Sequence, residues 1–239
     1  MDTVSMSFLR YPKYNLKGLR SVNPLQYQKE QNMTIGTPIS TTMTQVSVGS
    51  LQNIWGVDAA QRIWKYTGSG TNWTQISGML SQVSVASDGT VWGVQPSGNI
   101  YRYSGNNTWT QINGNVGSQG KVSVGADGTV LAVNPTGGVI YQYNGNNTWN
   151  QMIGNSGCPP EYPHVPFTQV AVGSSAFIRA LDAQANLYTY YASYPVWTCE
   201  GSFGSGAKYI AAASDYTFVF IDSTGTTQLV PYDPTPPAR

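Results

Sequence analysis

The sequence predicts an all-β fold made of repeated four-stranded antiparallel units, and three observations predict it. A marker tripeptide recurs about every forty residues: "VSV" at Val46, Val83 and Val122, echoed by "VAV" at Val170 and "IAA" at Ile210, which stand 37, 39, 48 and 40 residues apart. Each interval holds four short β-type runs broken by turn residues. Charge is scarce, at 10% of residues, while 7 Trp, 16 Tyr and 6 Phe stand among Gly, Ser, Thr, Asn and Gln. That composition suits short strands and tight turns, and it leaves little for helix.

The units follow in order. Residues 4–40 read as a diverged first copy, because "NLKGL" (Asn15 to Leu19), "NPLQY" (Asn23 to Tyr27) and "NMTIG" (Asn32 to Gly36) run parallel to "NIWGV", "RIWKY" and "NWTQISG" of the next copy, 41–79. The copy at 80–115 shows the pattern best. "QVSVA" leads through Ser87-Asp88-Gly89 to "TVWGV", then through Pro96-Ser97-Gly98 to "NIYRY", and through "SGNN" to "TWTQI". Alternation there puts Val91 and Gly93 on one face, Trp92 and Val94 on the other. Copies at 116–154, 167–203 and 204–232 follow, the Pro-rich "NSGCPPEYPHVP" at 155–166 being an insertion. The last copy ends in "TTQLVPY" and lacks a fourth strand, which "DTVSM" (Asp2 to Met6) would supply, closing the ring and removing its free edges. Units of this kind at this period read as blades of a β-propeller. The expected architecture is thus one domain over 1–239, a six-bladed β-propeller closed by its N- and C-terminal strands. Five blades plus an N-terminal extension is the alternative.

Composition narrows function. Twelve basic and eleven acidic residues give a net charge of +1, so no electrostatic footprint for nucleic acid or an anionic membrane exists. No run of eighteen apolar residues occurs, and the first twenty residues lack the apolar run of a secretory signal, which points to a cytoplasmic protein with Cys158 and Cys199 as free thiols, although an oxidising history could join them where their Cα atoms lie close enough. Sequons at Asn32, Asn72, Asn106 and Asn146 fall at or just ahead of one repeat position, so the repeat accounts for them.

The order W-x-x-I-x-G, V-S-V, D-G-x-V-W-G-V, G-x-I-Y-x-Y, carried by Trp73 to Gly78, Val83 to Val85, Asp88 to Val94 and Gly98 to Tyr103, resembles the tectonin repeat. The resemblance covers Val46 to Gly154 well, Val170 to Tyr232 loosely and the first forty residues weakly. It implies a six-bladed propeller lectin of the fungal and slime-mould type, binding terminal glycans, including O-methylated mannose or fucose on foreign cell surfaces, in innate defence. The second-strand Trp is present as Trp55 and Trp92 and becomes Leu131, Arg179 and Val219 later. The third-strand aromatic pair persists as Trp64/Tyr66, Tyr101/Tyr103, Tyr141/Tyr143 and Tyr188/Tyr190, then becomes Val230/Tyr232. Any sites are therefore unequal.

Sugar binding also makes physical sense without the family. A pyranose has an apolar C–H face that stacks on Trp or Tyr, and hydroxyls that need polar partners. Inter-blade clefts offer both, and the expected sugar-binding residues are Trp55, Trp64, Lys65, Trp92, Tyr101, Arg102, Tyr141 and Tyr188. A methylated hydroxyl would seek a small apolar socket, as at Gly56, Gly93 or Ala132. The bland readings stand beside these. Trp55, Trp92, Trp64 and Tyr101 are open between core and ligand contact, since alternation cannot separate the two. Trp73, Trp109, Trp149 and Trp197 at the fourth strand read as structural wedges. Lys65 and Arg102 share a column filled later by Gln142 and Thr189, and read as solvated surface or as partners of sugar hydroxyls. Asp88, Asp127 and Asp215 sit in turns, where Asp-Gly is turn chemistry first.

An enzyme is not expected. "SDGTVW" at Ser87 to Trp92 is similar to the Asp-box of propeller sialidases, but the spacing differs and no arginine triad or paired carboxylates accompany it. His164 is the sole histidine, so a His-based triad or multi-His metal site cannot form within one chain. No cofactor or metal is expected. The expected function is a monomeric, multivalent lectin for glycans, with a protein-binding propeller, its insertion serving as a partner loop, as the rival.

Overall fold

The computed structural model describes residues 42–68, 72–152, 165–192, 195–202, 207–212, 218–221, 224 and 226–230. All belong to the second of two units into which the chain divides, 1–38 and 39–239. The expected first copy, the closing strand Asp2 to Met6, residues 155–164 of the insertion with Cys158 and His164, Asp215 and the C-terminal tail lie outside the described residues.

The described chain is all-β. Sheet A comprises β1 (Met43–Ser50), β2 (Asn53–Asp58), β3 (Arg62–Tyr66) and β4 (Trp73–Met79). Sheet B comprises β5 (Gln82–Val85), β6 (Val91–Val94), β7 (Asn99–Gly105) and β8 (Thr108–Asn115). Sheet C comprises β9 (Lys121–Val124), β10 (Val130–Asn134), β11 (Val139–Tyr143) and β12 (Trp149–Gln151). Sheet D comprises β13 (Phe167–Ser174), β14 (Phe177–Asp182), β15 (Asn186–Tyr191) and β16 (Val196–Ser202). Sheet E shows β17 (Tyr209–Ala212), β18 (Phe218–Ile221) and β19 (Thr227–Val230). Every sheet is an antiparallel meander in chain order, and the first strands β1, β5, β9, β13 and β17 are successive neighbours. This is a propeller-like arrangement.

Turn chemistry sets each hairpin. Asn106 and Asn107 (φ 49° and 61°) and Asn146 and Asn147 (φ 50° and 62°) occupy the paired left-handed positions of a tight hairpin turn, which Asn tolerates better than most residues. The turns also reach outward. Asn107 Oδ1 accepts from Ser77 N while Trp109 Nε1 donates to Ser77 O (3.0 Å), and Asn147 with Trp149 holds Asn113 in the same way. Each "NNTW" thus clips its outer strand to that of the preceding sheet.

Both faces of sheets B, C and D are buried. Val91 joins Trp55, Val57, Ile63 and Ile76 of sheet A, whereas Trp92 and Val94 join Val122, Val124, Val130 and Ala132 of sheet C. Leu131, Val133 and Ile140 of sheet C then pack on Phe167, Tyr188 and Trp197 of sheet D, and Phe177, Leu181 and Leu187 of sheet D on Phe218 and Phe220 of sheet E. That explains why β6 is buried at all four positions, Gly93 included.

The first strands are joined by side chains. Gln45 Nε2 donates to Val83 O and its Oε1 accepts from Val83 N, both at 3.0 Å. Gln82 does the same to Val122, at 2.9 and 3.0 Å, and Gln169 to Lys208 O and Ile210 N. Ser47, Ser84 and Ser123 Oγ accept from Val85, Val124 and Val172 N, each at 3.0 Å. At the third position of this series, between Gln82 and Gln169, stands Lys121, whose ammonium has no acceptor to offer the Val170 N–H. It lies 5.6 Å from the Tyr209 ring centroid, and burial pushes its pKa down. Asp127 reinforces the same seam between sheets C and D. Burial raises its pKa, but hydrogen bonds from Ser175 (N–H at 2.7 Å) and Thr129 outweigh that and hold it at about 2.

Cys199 is disulfide-bonded, and no cysteine is free among the described residues, which corrects the free-thiol expectation for Cys199. That expectation followed from the absence of a signal-like run, and such an absence says nothing about which sulfurs the fold brings together.

Two substitutions test the side-chain ladder. Gln82→Ala removes both bonds to Val122 and should cost about 1–3 kcal/mol, at about 1 kcal/mol per bond. Lys121→Gln restores an amide at the interrupted position and should raise the urea midpoint, whereas an unchanged or lowered midpoint would count against the ladder.

Candidate functional site

Strand register decides which expected residues share a cleft. Trp55 pairs with Lys65, and Lys65 with Thr74, on the face of sheet A turned toward sheet B. Trp92, Arg102 and Thr110 repeat that row on sheet B, turned toward sheet C. Tyr101 shares the alternate face of β7 with Tyr103, which packs on Trp55, so Lys65 and Tyr101 belong to the A/B cleft. Tyr141 likewise shares a face with Tyr143, which packs on Trp92, so Arg102 and Tyr141 belong to the B/C cleft.

Three expected site residues are core instead. Trp55 is 1% exposed, Trp92 2% and Tyr188 1%. Trp55 is gripped edge-on by Tyr103 and Trp109 of sheet B, at 4.9 and 6.1 Å between centroids, and Trp92 by Tyr143 and Trp149 of sheet C, at 5.0 and 6.2 Å. These edge-to-face contacts seal both indole N–H groups from solvent without a hydrogen-bond partner. Neither ring offers a face to a ligand. Tyr188 is held by Phe167 at 5.1 Å and by its O–H to Asp182 at 3.2 Å; burial and the adjacent carboxylate push its pKa up. The apolar sockets are closed too, since Ala132 is buried, a Cβ at Gly93 would meet Leu80 at 2.4 Å, and one at Gly56 would meet Gln45 O at 3.0 Å.

Trp64 stands elsewhere, on the face of sheet A turned away from sheet B. Its Nε1 donates to Asp58 Oδ2 (3.0 Å), which also accepts from Arg62 Nε (2.7 Å), and the Arg62 guanidinium lies 5.5 Å from the ring centroid. Burial raises the Asp58 pKa, but the bonds from Trp64 and Arg62 and the Arg62 charge bring it down to about 2. Thr42, Met43, Asp58, Ala59, Arg62 and Trp64 line a cavity of about 200 Å³. Asp182 repeats the device, with Oδ1 accepting from Gln184 and Asn186 N–H and Oδ2 from Asn186 Nδ2 and Tyr188. A sequence signal for it exists, Asp-Ala six and five residues ahead of an aromatic, in Asp58-Ala59 to Trp64 and in Asp182-Ala183 to Tyr188.

The accessible chemistry is therefore Lys65, Tyr101, Arg102 and Tyr141. Lys65 Nζ lies 5.6 Å from the Trp55 ring centroid, and the Tyr101 O–H donates to Gln111 Oε1 at 3.4 Å. Arg102 lines a cavity of about 350 Å³ with Tyr103, Ser104, Thr110 and Ile112, near the lower size of small-ligand sites. Ser104, Thr110 and Ile112 were not expected, although their alternation with Tyr103 and Trp109 along β7 and β8 carried the signal. Among the described residues no group of three or more His, Cys, Asp or Glu is placed to hold a metal ion.

Residues 20–116 match the tectonin domain family. The match takes in less than half of the chain. Among solved structures, a streptogramin B lyase matches 80% of the chain and 68% of its own at 12% identity and a TM-score of 0.55. Virginiamycin B lyase from Staphylococcus aureus matches 83% and 75% at 16% identity and a TM-score of 0.57. YCF48 bound to D1 peptide matches 82% of this chain but only 64% of its own, at 15% identity and a TM-score of 0.54. At such identities the likeness concerns the fold alone. No curated protein matches the chain by sequence. The tectonin match spans sheets A and B, so both cation-bearing strands, β3 and β7, fall within it.

Trp92→Ala should therefore unfold the protein more easily by about 3–5 kcal/mol, as expected for truncating a buried aromatic. Tyr101→Ala should cost about 1 kcal/mol or less. Urea titration of both variants checks the division into core and surface, and similar losses would contradict it.

Proposed function

We propose that this protein is a multivalent carbohydrate-binding propeller that recognises terminal monosaccharides on foreign cell-surface glycans through its inter-sheet clefts. One observation carries the reading: beginning in the stretch that matches the tectonin family, two successive clefts present the same set, a cation and a threonine on one wall and a half-buried tyrosine on the other. Tyrosine supplies a stacking face, while threonine and the cation meet hydroxyls. A shallow site of this kind binds with about −4 to −6 kcal/mol. Two or more sites on one molecule raise avidity by ~10²–10⁴ on a surface.

A second reading, a peptide- or protein-binding propeller, is favoured by the likeness to YCF48 in its peptide-bound form. Catalysis is no part of our proposal, although lyases share the fold. A glycan array that includes O-methylated mannose and fucose separates the readings. A lectin gives signal for one class of terminal sugar, reversed by free sugar and weakened about tenfold in Tyr101→Ala or Tyr141→Ala. A blank array from folded protein sinks the lectin reading and leaves the peptide-binding one.

For the ring we propose six units, the first being the diverged copy at 4–40. The family match begins at residue 20, and sheet E shows three strands among its described residues. A chain lacking residues 1–38 should then melt at a lower temperature, whereas an unchanged melting curve favours five units and an extension.

A further inference from the structure

We propose that the Arg102 cleft, and the Lys65 cleft beside it, select saccharides that carry an anionic group, a carboxylate first of all. This rests on the carbohydrate-binding reading above and names its ligand class. Sheets A and B hold three cations, Arg62, Lys65 and Arg102. Arg62 is neutralised by Asp58 at 2.7 Å, the single ion pair among the described residues. No acidic residue lies on β7 or β8, and Asp88, in the turn before β6, is engaged by Thr90 N–H and Oγ1.

Packing does not explain the charge. The same register position is Gln142 in sheet C and Thr189 in sheet D, and both sheets form their four strands with a neutral side chain there. Arg102 instead lines the cavity of about 350 Å³ together with Tyr103, Ile112 and the Ser104 and Thr110 hydroxyls, which hydrogen-bond to each other. A guanidinium has five donors and no acceptor. A neutral sugar hydroxyl answers one of them weakly, whereas a carboxylate accepts two in parallel in the planar geometry that arginine prefers. The half-buried Tyr141 on the facing wall offers a ring for the apolar face of a pyranose, and the two hydroxyls meet its ring substituents. The cleft thus matches a uronate better than the corresponding neutral hexose. Two cations on neighbouring sheets do not make the basic stripe that a nucleic acid requires.

The test compares methyl glycosides of glucose, galactose and mannose with the matching uronides and 6-sulfates, titrated into the full chain by calorimetry in low and high salt. Arg102→Met and Arg102→Lys serve as variants. The proposal expects an acidic sugar to bind about tenfold or more tighter than its neutral partner, an advantage that shrinks in high salt and is lost in Arg102→Met. Arg102→Lys should keep the salt dependence while losing part of the affinity. Preference for a 6-sulfate over a uronide, if lost in Arg102→Met, supports the anionic class with sulfate as the group. Neutral sugars that bind equally well, with no change of preference in Arg102→Met, overturn the inference and leave the lectin reading intact. No binding by any of these sugars, acidic or neutral, overturns the inference, and the glycan array then decides the lectin reading independently.

Discussion

Among the described residues, neighbouring sheets share no backbone hydrogen-bond ladder, and their arrangement depends on how that gap is bridged. At the free edges of β5 and β9 the Val83 and Val122 peptide groups are met by a glutamine amide of the preceding sheet, itself a copy of a peptide group. Serine adds one acceptor two residues later. With the first strands fixed in this way, the apolar faces meet at constant register, and Trp55 and Trp92 fall into the gap between two aromatic residues of the following sheet. The outer clips of Asn107 and Asn147 then hold the far edge. The clefts exist because both margins are fastened while the chains between them are short and polar.

Much of this was legible in the sequence. The marker "VSV" gave the period because it is the strand whose Gln and Ser neighbours do the bridging, so its spacing cannot drift. Turn residues gave the hairpins, and of the fourth-strand tryptophans read as wedges, Trp109 and Trp149 pack into the preceding seam. The clefts were harder to read. Alternation tells which face a residue is on, and Trp92 and Arg102 are on the same face at adjacent strands. Depth separates them, because Trp92 lies nearer the first strand and Arg102 nearer solvent, and no periodicity in one strand encodes distance across a sheet. The same limit leaves Trp55 open between core and ligand contact in the sequence and places Tyr188 among the expected sugar-binding residues, whereas both are buried. The disulfide at Cys199 was illegible for another reason: pairing depends on Cα separation in the fold, which two isolated cysteines in a sequence do not report.

The seams are not copies of one another, and the differences compensate. Where Lys121 interrupts the glutamine series, Asp127 fastens the adjoining turn to Ser175, and Ala126 N–H bonds to Gly173 O at 2.9 Å. Where the second-strand indole is missing, Arg179 lies 4.7 Å from the Phe177 ring centroid and 5.4 Å from that of Phe218. The seams are therefore held by different fastenings, and sheet D keeps its four strands although the second-strand indole is missing there.

The paired carboxylates of Asp58 and Asp182 carry a consequence for how such copies drift apart. Each fixes its own turn through one oxygen and an aromatic residue through the other, but Asp58 receives an indole N–H and Asp182 a phenol O–H. The acceptor is indifferent to which heteroatom brings the proton. Interchange between a bicyclic and a monocyclic ring at that column is then a near-neutral mutation for the hairpin, while it alters the size of the aromatic surface between blades. Selection on what the rings touch can proceed without renegotiating the backbone beneath them.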